Sequence, residues 1–192
     1  MKIQTWFPTS IAVVEDVISK KEHNFLKNKI LKLNKAEAHP QWHSNVKTSY
    51  GKYDLTFDKD FDNLIEQTRL HTIKFAKTMG SYDGYKVKQS WYVVYNEGDF
   101  QEYHAHGNSI ISAIYFIKAD DKSAKLYFKS PFQDQLAPEY KGRNADTWER
   151  IFYNAVPGRL LVFRSYLEHC VEMQKDKELR ITSAYNFARN YV

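Results

Sequence analysis

The stretch Tyr103–Asn108, YHAHGN, carries two histidines two positions apart. On an extended chain residues i and i+2 face the same side, so His104 and His106 would project together with Cα atoms about 6–7 Å apart. Two imidazoles at that separation can converge on one metal ion at about 2.0–2.2 Å per bond. A lone His-x-His pair is also found as an ordinary surface or core feature, so the pair alone leaves both readings open. Further along, PGRLLVFRSYLEHCVEMQKDKELRITSAYNF brings His169 and, eleven residues later, Arg180. An arginine that faces inward is costly unless it meets an anion, and a guanidinium grips a carboxylate with two parallel hydrogen bonds. A metal site beside a carboxylate-binding arginine points to a small acid that also chelates the metal.

The elements that must position these residues change in texture along the chain. From about residue 10 to 80 the patterns are helical. DFDNLIEQTRLHTIKFAKTMG sets Phe61, Leu64, Ile65, Ile73 and Ala76 near one stripe, with Asp60 as N-cap and Gly80 as the stop. An earlier helix runs through Phe25, Leu26, Ile30 and Leu33. After Gly84 come short strands: YKVKQSWYVVYN, SIISAIYFIK, KLYFK, WERIFYNAV, RLLVFR, HCVEMQ and LRITSAYNFA, punctuated by NEGD, ADDKSA and VPGR. That spacing predicts a mainly β (α+β) fold, a sandwich or jelly roll with the N-terminal helices packed on one sheet from outside. The polar segment 130–147, SPFQDQLAPEYKGRNADT, reads as an ordered loop over the site or a lid.

The 192 residues fit one domain, with about 1–84 as helical support and about 85–192 as jelly-roll core. Hydrophobic residues at 43% suffice for a core, and aromatic residues at 16% favour strands. The net charge of +5 comes without a block of adjacent basic residues, which argues against a nucleic-acid arm. Cys170 is the only cysteine, so no internal disulfide forms. No run has the length of a signal peptide or a membrane span, and a soluble cytoplasmic protein is expected.

With WYVVYNEGDFQEYHAHGNSIISAIYFI and PGRLLVFRSYLEHCVEM…LRITSAYNF in view, the chain resembles the iron(II)/2-oxoglutarate-dependent oxygenase superfamily. More closely, it is similar to an uncharacterised 2OG-Fe(II) oxygenase family of marine bacteria and their phages. IQTWFPTSI near the start and WHSN at Trp42–Asn45 share that likeness. The resemblance implies a double-stranded β-helix of cupin-like form, with Fe(II), 2-oxoglutarate as co-substrate and O2. It implies His104 as the first iron ligand, six residues after Gly98 in a Tyr-x-x-Gly turn, and His169 as the distal one. Arg180 matches the residue that binds the far carboxylate of 2-oxoglutarate, with Thr182 two residues beyond. Tyr95 and Tyr115 lie on strands where related enzymes set a tyrosine against the co-substrate. His106 departs from the superfamily, which has Asp or Glu there; the closer family also carries H-x-H. A neutral third ligand leaves the site one charge more positive. Asp99 and Glu102 are the nearby carboxylates that would orient an imidazole.

Other readings of the same residues stand beside this one. Three histidines with an open position also suit a zinc hydrolase or a dioxygenase that needs no 2-oxoglutarate, though neither requires Arg180. A non-catalytic jelly-roll binding protein would use none of this chemistry. Arg180 could pair with a core carboxylate, Tyr95 and Tyr115 could simply pack, and Trp91 reads as core. His43 reads as surface, and Cys170, next to His169 on a strand, faces away from it. The substrate is set by no motif; its specificity is expected from 130–147 and the N-terminal region.

Overall fold

The computed structural model describes residues 1–4, 6–33, 35–81, 84–132 and 141–190. In chain order they form β1 (Ile11–Val14), α1 (Lys20–Leu33), β2 (Glu37–Ala38), β3 (Lys47–Thr48), α2 (Asp62–Thr78), β4 (Tyr85–Tyr95), β5 (Gln101–His104), β6 (Ile111–Lys118), β7 (Leu126–Lys129), β8 (Arg150–Tyr153), β9 (Leu160–Arg164), β10 (His169–Val171) and β11 (Arg180–Arg189). The larger sheet has the order β1-β9-β6-β11-β4-β3-β2 and the smaller the order β5-β10-β7-β8. Every strand pair among the described residues is antiparallel. The two sheets and the helices outside the larger one make the jelly roll expected from the sequence. The seven predicted strands are all present. The stretch before Gly84 is not purely helical, because β1, β2 and β3 complete both edges of the larger sheet.

Alternation along the strands builds two cores. On β11 the odd residues Ile181, Tyr185 and Phe187 meet Leu26, Ile30, Leu64 and Phe75 of the helices. The even face of the same sheet, with Trp91, Val93, Tyr95, Ile114, Phe116 and Ala184, meets Leu126, Phe128 and Val171 of the smaller sheet. Strands buried on both faces lose the polar/apolar alternation of a half-exposed sheet. That is why IISAIYFIK and RLLVFR are almost continuously apolar.

The start of α2 differs from expectation. Asp60 does not cap it; Phe61 stands at that position without a side-chain cap. Two 3₁₀ turns, Leu55–Phe57 and Lys59–Phe61, lead into the helix, capped by Asp54 and Asp58. Asp58 ties three pieces together. It accepts from the Asp60 amide at 3.1 Å, from Tyr53 Oη at 2.5 Å and from Lys29 Nζ of α1 at 2.6 Å. Burial works against its charge, but hydrogen bonds from Lys29 and Tyr53 outweigh this, and its pKa lies below the ordinary value of 3.8. Asp58→Ala is expected to cost about 2 kcal/mol, a lost cap plus two half-buried hydrogen bonds. A lowered folded pKa contributes stability above the unfolded pKa, and this is lost as the pH falls through the folded one. Urea denaturation of wild type and Asp58→Asn should therefore converge below about pH 4. A gap that stays constant from pH 7 to pH 3 would contradict this.

Candidate functional site

Register brings the histidines together. His169 of β10 stands directly opposite His104 of β5, and their ring centroids are 4.3 Å apart. β5 ends at His104, so His106 is not on the strand. The turn that follows is held by the His106 amide donating to Ser165 O at 2.9 Å. This sets the His106 ring 5.3 Å from His104 and 5.1 Å from His169. One ligand atom from each of the three lies within 4.8 Å of the others. Each Nδ1 faces an acceptor: Glu102 O at 2.8 Å for His104, Asn186 Oδ1 at 2.6 Å for His106 and Leu167 O at 3.0 Å for His169. Carbonyl oxygens only accept, so Nδ1 carries the proton and Nε2 keeps its lone pair for a metal. Burial lowers all three pKa values; for His106 the value falls to about 4 with His104 adding to the effect, and for His169 both neighbours add. The imidazoles are uncharged at neutral pH, the form in which they ligate.

Arg180 opens β11 opposite Tyr95. It is 1% exposed. Nε donates to Ala124 O at 2.9 Å, whereas Nη1 and Nη2 are buried with no hydrogen-bond partner. The guanidinium is packed between rings, 4.7 Å from the centroid of Tyr95 and 5.5 Å from that of Phe116. Burial pulls its pKa down and pushes that of the Tyr95 hydroxyl up to about 12, with the mutual attraction opposing both. No carboxylate forms an ion pair with it among the described residues. Two unmatched buried donors on a cation are expensive. They line the same cavity of about 410 Å³ as the three histidines. The residues present thus fit a metal ion and, beside it, a carboxylate ligand of small size.

Residues 89–186, just over half the chain, match a family model described as "Putative 2OG-Fe(II) oxygenase". The chain belongs to this oxygenase family. Solved structures are similar over nearly the whole length. A Pseudomonas putida prolyl-4-hydroxylase has 12% identity, covers 95% of this chain and 94% of its own, and gives a TM-score of 0.64. HygX from Streptomyces hygroscopicus, with nickel, 2-oxoglutarate and hygromycin B bound, has 12% identity, 95% and 84% coverage and a TM-score of 0.67. A viral collagen prolyl hydroxylase from Paramecium Bursaria Chlorella virus-1, in complex with 2OG, has 13% identity, 94% and 96% coverage and a TM-score of 0.58. At such identities the likeness speaks for the fold. No curated protein matches the chain by sequence. The matched span excludes the IQTWFPTSI and WHSN segments.

In this oxygenase, strand parity sorts the remaining candidates. Tyr95, Thr182, Ala184 and Asn186 line the cavity with Arg180. Tyr115 does not, which corrects the expectation. As the neighbour of Ile114, which lines the cavity, it faces the helices, and its hydroxyl lies 2.7 Å from His23 Nδ1. Trp91 is both core and site: 5% exposed, it lines the cavity with its ring 5.6 Å from that of His106. The carboxylates near YHAHGN do not orient the imidazoles. Asp99 binds the Asn96 amide and side chain within its turn, at 2.8 and 2.9 Å. There Gly98, at φ 88°, adopts a conformation that a Cβ would strain. Glu102 uses its main-chain oxygen for His104, while its carboxylate accepts from the His43 amide at 3.1 Å and secures the 39–45 loop. Beside His43, which is exposed, that loop gives His39 and Trp42 to the cavity mouth. With Tyr50 and Trp91 they form an aromatic wall at ring separations of 4.9–6.2 Å. Sequence reasoning missed His39, Tyr50, Ser112 and Asn186. Asn186 was within reach, since it shares parity with Arg180 and Thr182; the wall comes from a distant loop with no local signal. Cys170 lies off the cavity as expected. Of the 130–147 segment, residues 133–140 lie outside the described residues. Among those described, no helix is long and apolar enough to cross a membrane.

Proposed function

We propose that the protein acts as an iron(II)- and 2-oxoglutarate-dependent dioxygenase that hydroxylates its substrate, with His104, His106 and His169 as metal ligands. The observation that carries the reading is the Arg180 guanidinium, buried with both Nη atoms unpartnered in the cavity of the three histidines. It fits an acid anchored at one end on arginine and at the other on the metal, which a zinc hydrolase would not need. When bound, iron, 2-oxoglutarate and O2 supply the oxidising chemistry, with succinate and CO2 as co-products.

The chain's own residues bind, orient and exclude. Three neutral imidazoles hold the metal through Nε2, each aimed by a fixed Nδ1–H. Arg180 offers two parallel donors to the far carboxylate, in a setting where few other groups screen the attraction. Tyr95 and Phe116 keep that guanidinium flat and dry, and Thr182, 4% exposed on the same face, offers a hydroxyl beside it. Trp91, Tyr50 and Trp42 shape the side from which a substrate approaches. The whole chain acts as one domain, since β1, β2 and β3 complete the sheet that carries Arg180.

The test is protein purified without oxygen, analysed for metal, then loaded with Fe(II) and given 2-oxoglutarate and O2. Succinate should form in an iron-dependent manner, slowly without the primary substrate. Zinc filling the purified protein, together with neither binding nor consumption of 2-oxoglutarate on iron loading, would overturn the reading.

A further inference from the structure

His106 differs from its two companions in what orients it. His104 and His169 give Nδ1–H to main-chain carbonyls, which any sequence would offer. His106 gives its proton to a side chain, Asn186 Oδ1 at 2.6 Å. The same oxygen accepts from the Ser112 hydroxyl at 2.9 Å. Ser112 Oγ is 3.0 Å from His106 Nδ1 and 2.8 Å from Ser165 Oγ. A hydroxyl has one proton, so Ser112, donating to Asn186, accepts from Ser165. The three residues are 7% exposed or less. Their meeting is set by register: Asn186 is opposite Ser112 between β11 and β6, and Ser165 follows β9, whose Phe163 is opposite Ser112. Ser165 thus holds the main chain of His106 through its carbonyl, and the Ser112–Asn186 pair holds the ring.

We infer that Asn186 is the positioning residue for the third metal position, holding His106 as the Nδ1–H tautomer with Nε2 free and keeping the ligand's surroundings uncharged. The inference rests on the reading of His106 as a ligand. The orientation of the amide matters: turned over, Asn186 would present NH2 to the imidazole, move the ring proton to Nε2 and block ligation. An amide also differs from a carboxylate in effect. A carboxylate accepting from Nδ1–H would push electron density onto the ring and make Nε2 a stronger donor. Asn186 therefore sets the electronic character of the position where the superfamily has an acid.

The experiment compares Asn186→Ala, Asn186→Asp and His106→Ala with wild type, all checked for folding by circular dichroism. Co(II) affinity and its visible ligand-field spectrum are measured, then the Fe(III)/Fe(II) midpoint potential of the iron-loaded protein. Asn186→Ala should weaken Co(II) about ten- to a hundredfold and alter the spectrum. Asn186→Asp keeps the acceptor, so it should restore wild-type affinity or better and lower the midpoint potential. If Asn186→Ala matches wild type in affinity and spectrum while His106→Ala loses Co(II), the inference fails and the metal-site reading stands. If Asn186→Asp is as impaired as Asn186→Ala, an acceptor opposite Nδ1 is not what holds the ligand, and the inference also fails. If His106→Ala binds Co(II) as wild type does, the ligand reading of His106 fails, and the inference with it.

Discussion

Arg180→Met is expected to weaken 2-oxoglutarate binding by about 30-fold or more while leaving the ligand-free protein about as stable as wild type, or more so. In the ligand-free state Arg180 is a buried cation with two unmatched donors. Replacing buried charge by a well-packed apolar side chain is often neutral or stabilising by about 1–4 kcal/mol. Against this stand the Nε bond to Ala124 O, worth about 1 kcal/mol, and the contacts with Tyr95 and Phe116, worth about 0.5–2 kcal/mol. The terms nearly cancel, so the melting temperature without ligand should move by a few degrees at most. Ligand binding has no such compensation. Removing one partner of a buried, hydrogen-bonded charge pair costs about 2–5 kcal/mol, or roughly 30- to several-thousand-fold in affinity. Calorimetry of the metal-loaded protein with 2-oxoglutarate, beside thermal melts with and without it, checks both halves. A variant that is badly destabilised when empty yet still stabilised by 2-oxoglutarate would show that Arg180 serves the fold and not the co-substrate.

His169→Ala should remove most of the metal affinity. Structural zinc sites with four ligands bind with about 10–16 kcal/mol, so each ligand contributes on the order of 3 kcal/mol, more than a hundredfold. In wild type, Co(II) at a hundred times its Kd adds about 2.7 kcal/mol of stability. For a chain of this size that is about 5–10 °C in melting temperature, and His169→Ala should show almost none of it. His169 also packs against Phe163 at 4.9 Å and Phe128 at 5.7 Å, and the cavity left behind costs about 2 kcal/mol. His104→Ala separates the two effects, since His104 is only partly buried and its loss leaves little void. It should lose the metal-induced shift while melting near wild type without metal. Equal Co(II) stabilisation of wild type and both variants would rule out this triad as the metal site.

The two variants probe residues that the sequence made visible for a specific reason. His104 stood out by its pairing with His106, and His169 and Arg180 as polar residues at the starts of strands that follow turn signals. Apolar runs between turn signals located seven of the strands after Gly84, though not β5, and alternation separated Cys170 from His169. Where expectation failed, a longer-range term had won. Asp60 looked like a cap because it lies just ahead of the apolar stripe, but Asp58 gains Tyr53 from the preceding turn while sharing Lys29 with Asp60, and the chain tightens there into 3₁₀ geometry. Tyr115 was linked to the co-substrate by family likeness, although its odd parity beside Ser112 and Ile114 already turned it toward the helices. Glu102 was read through its carboxylate, whereas the fold uses its main-chain oxygen for His104 and spends the side chain on a loop.

The identity of the chemistry-bearing residues and the side of each strand they occupy are local properties, governed by side-chain type and alternation. Which of them meet is not local. His104 faces His169, Arg180 faces Tyr95 and Asn186 faces Ser112 only because antiparallel strands distant in sequence pair in one register. That register is selected by the burial of two cores at once: a slip of one residue on β11 would send Arg180 and Asn186 to the helices and Tyr185 and Phe187 into the cavity. The neutral Asn186–Ser112 support of His106, and the aromatic wall carried in by the 39–50 segment, come into being only with that packing.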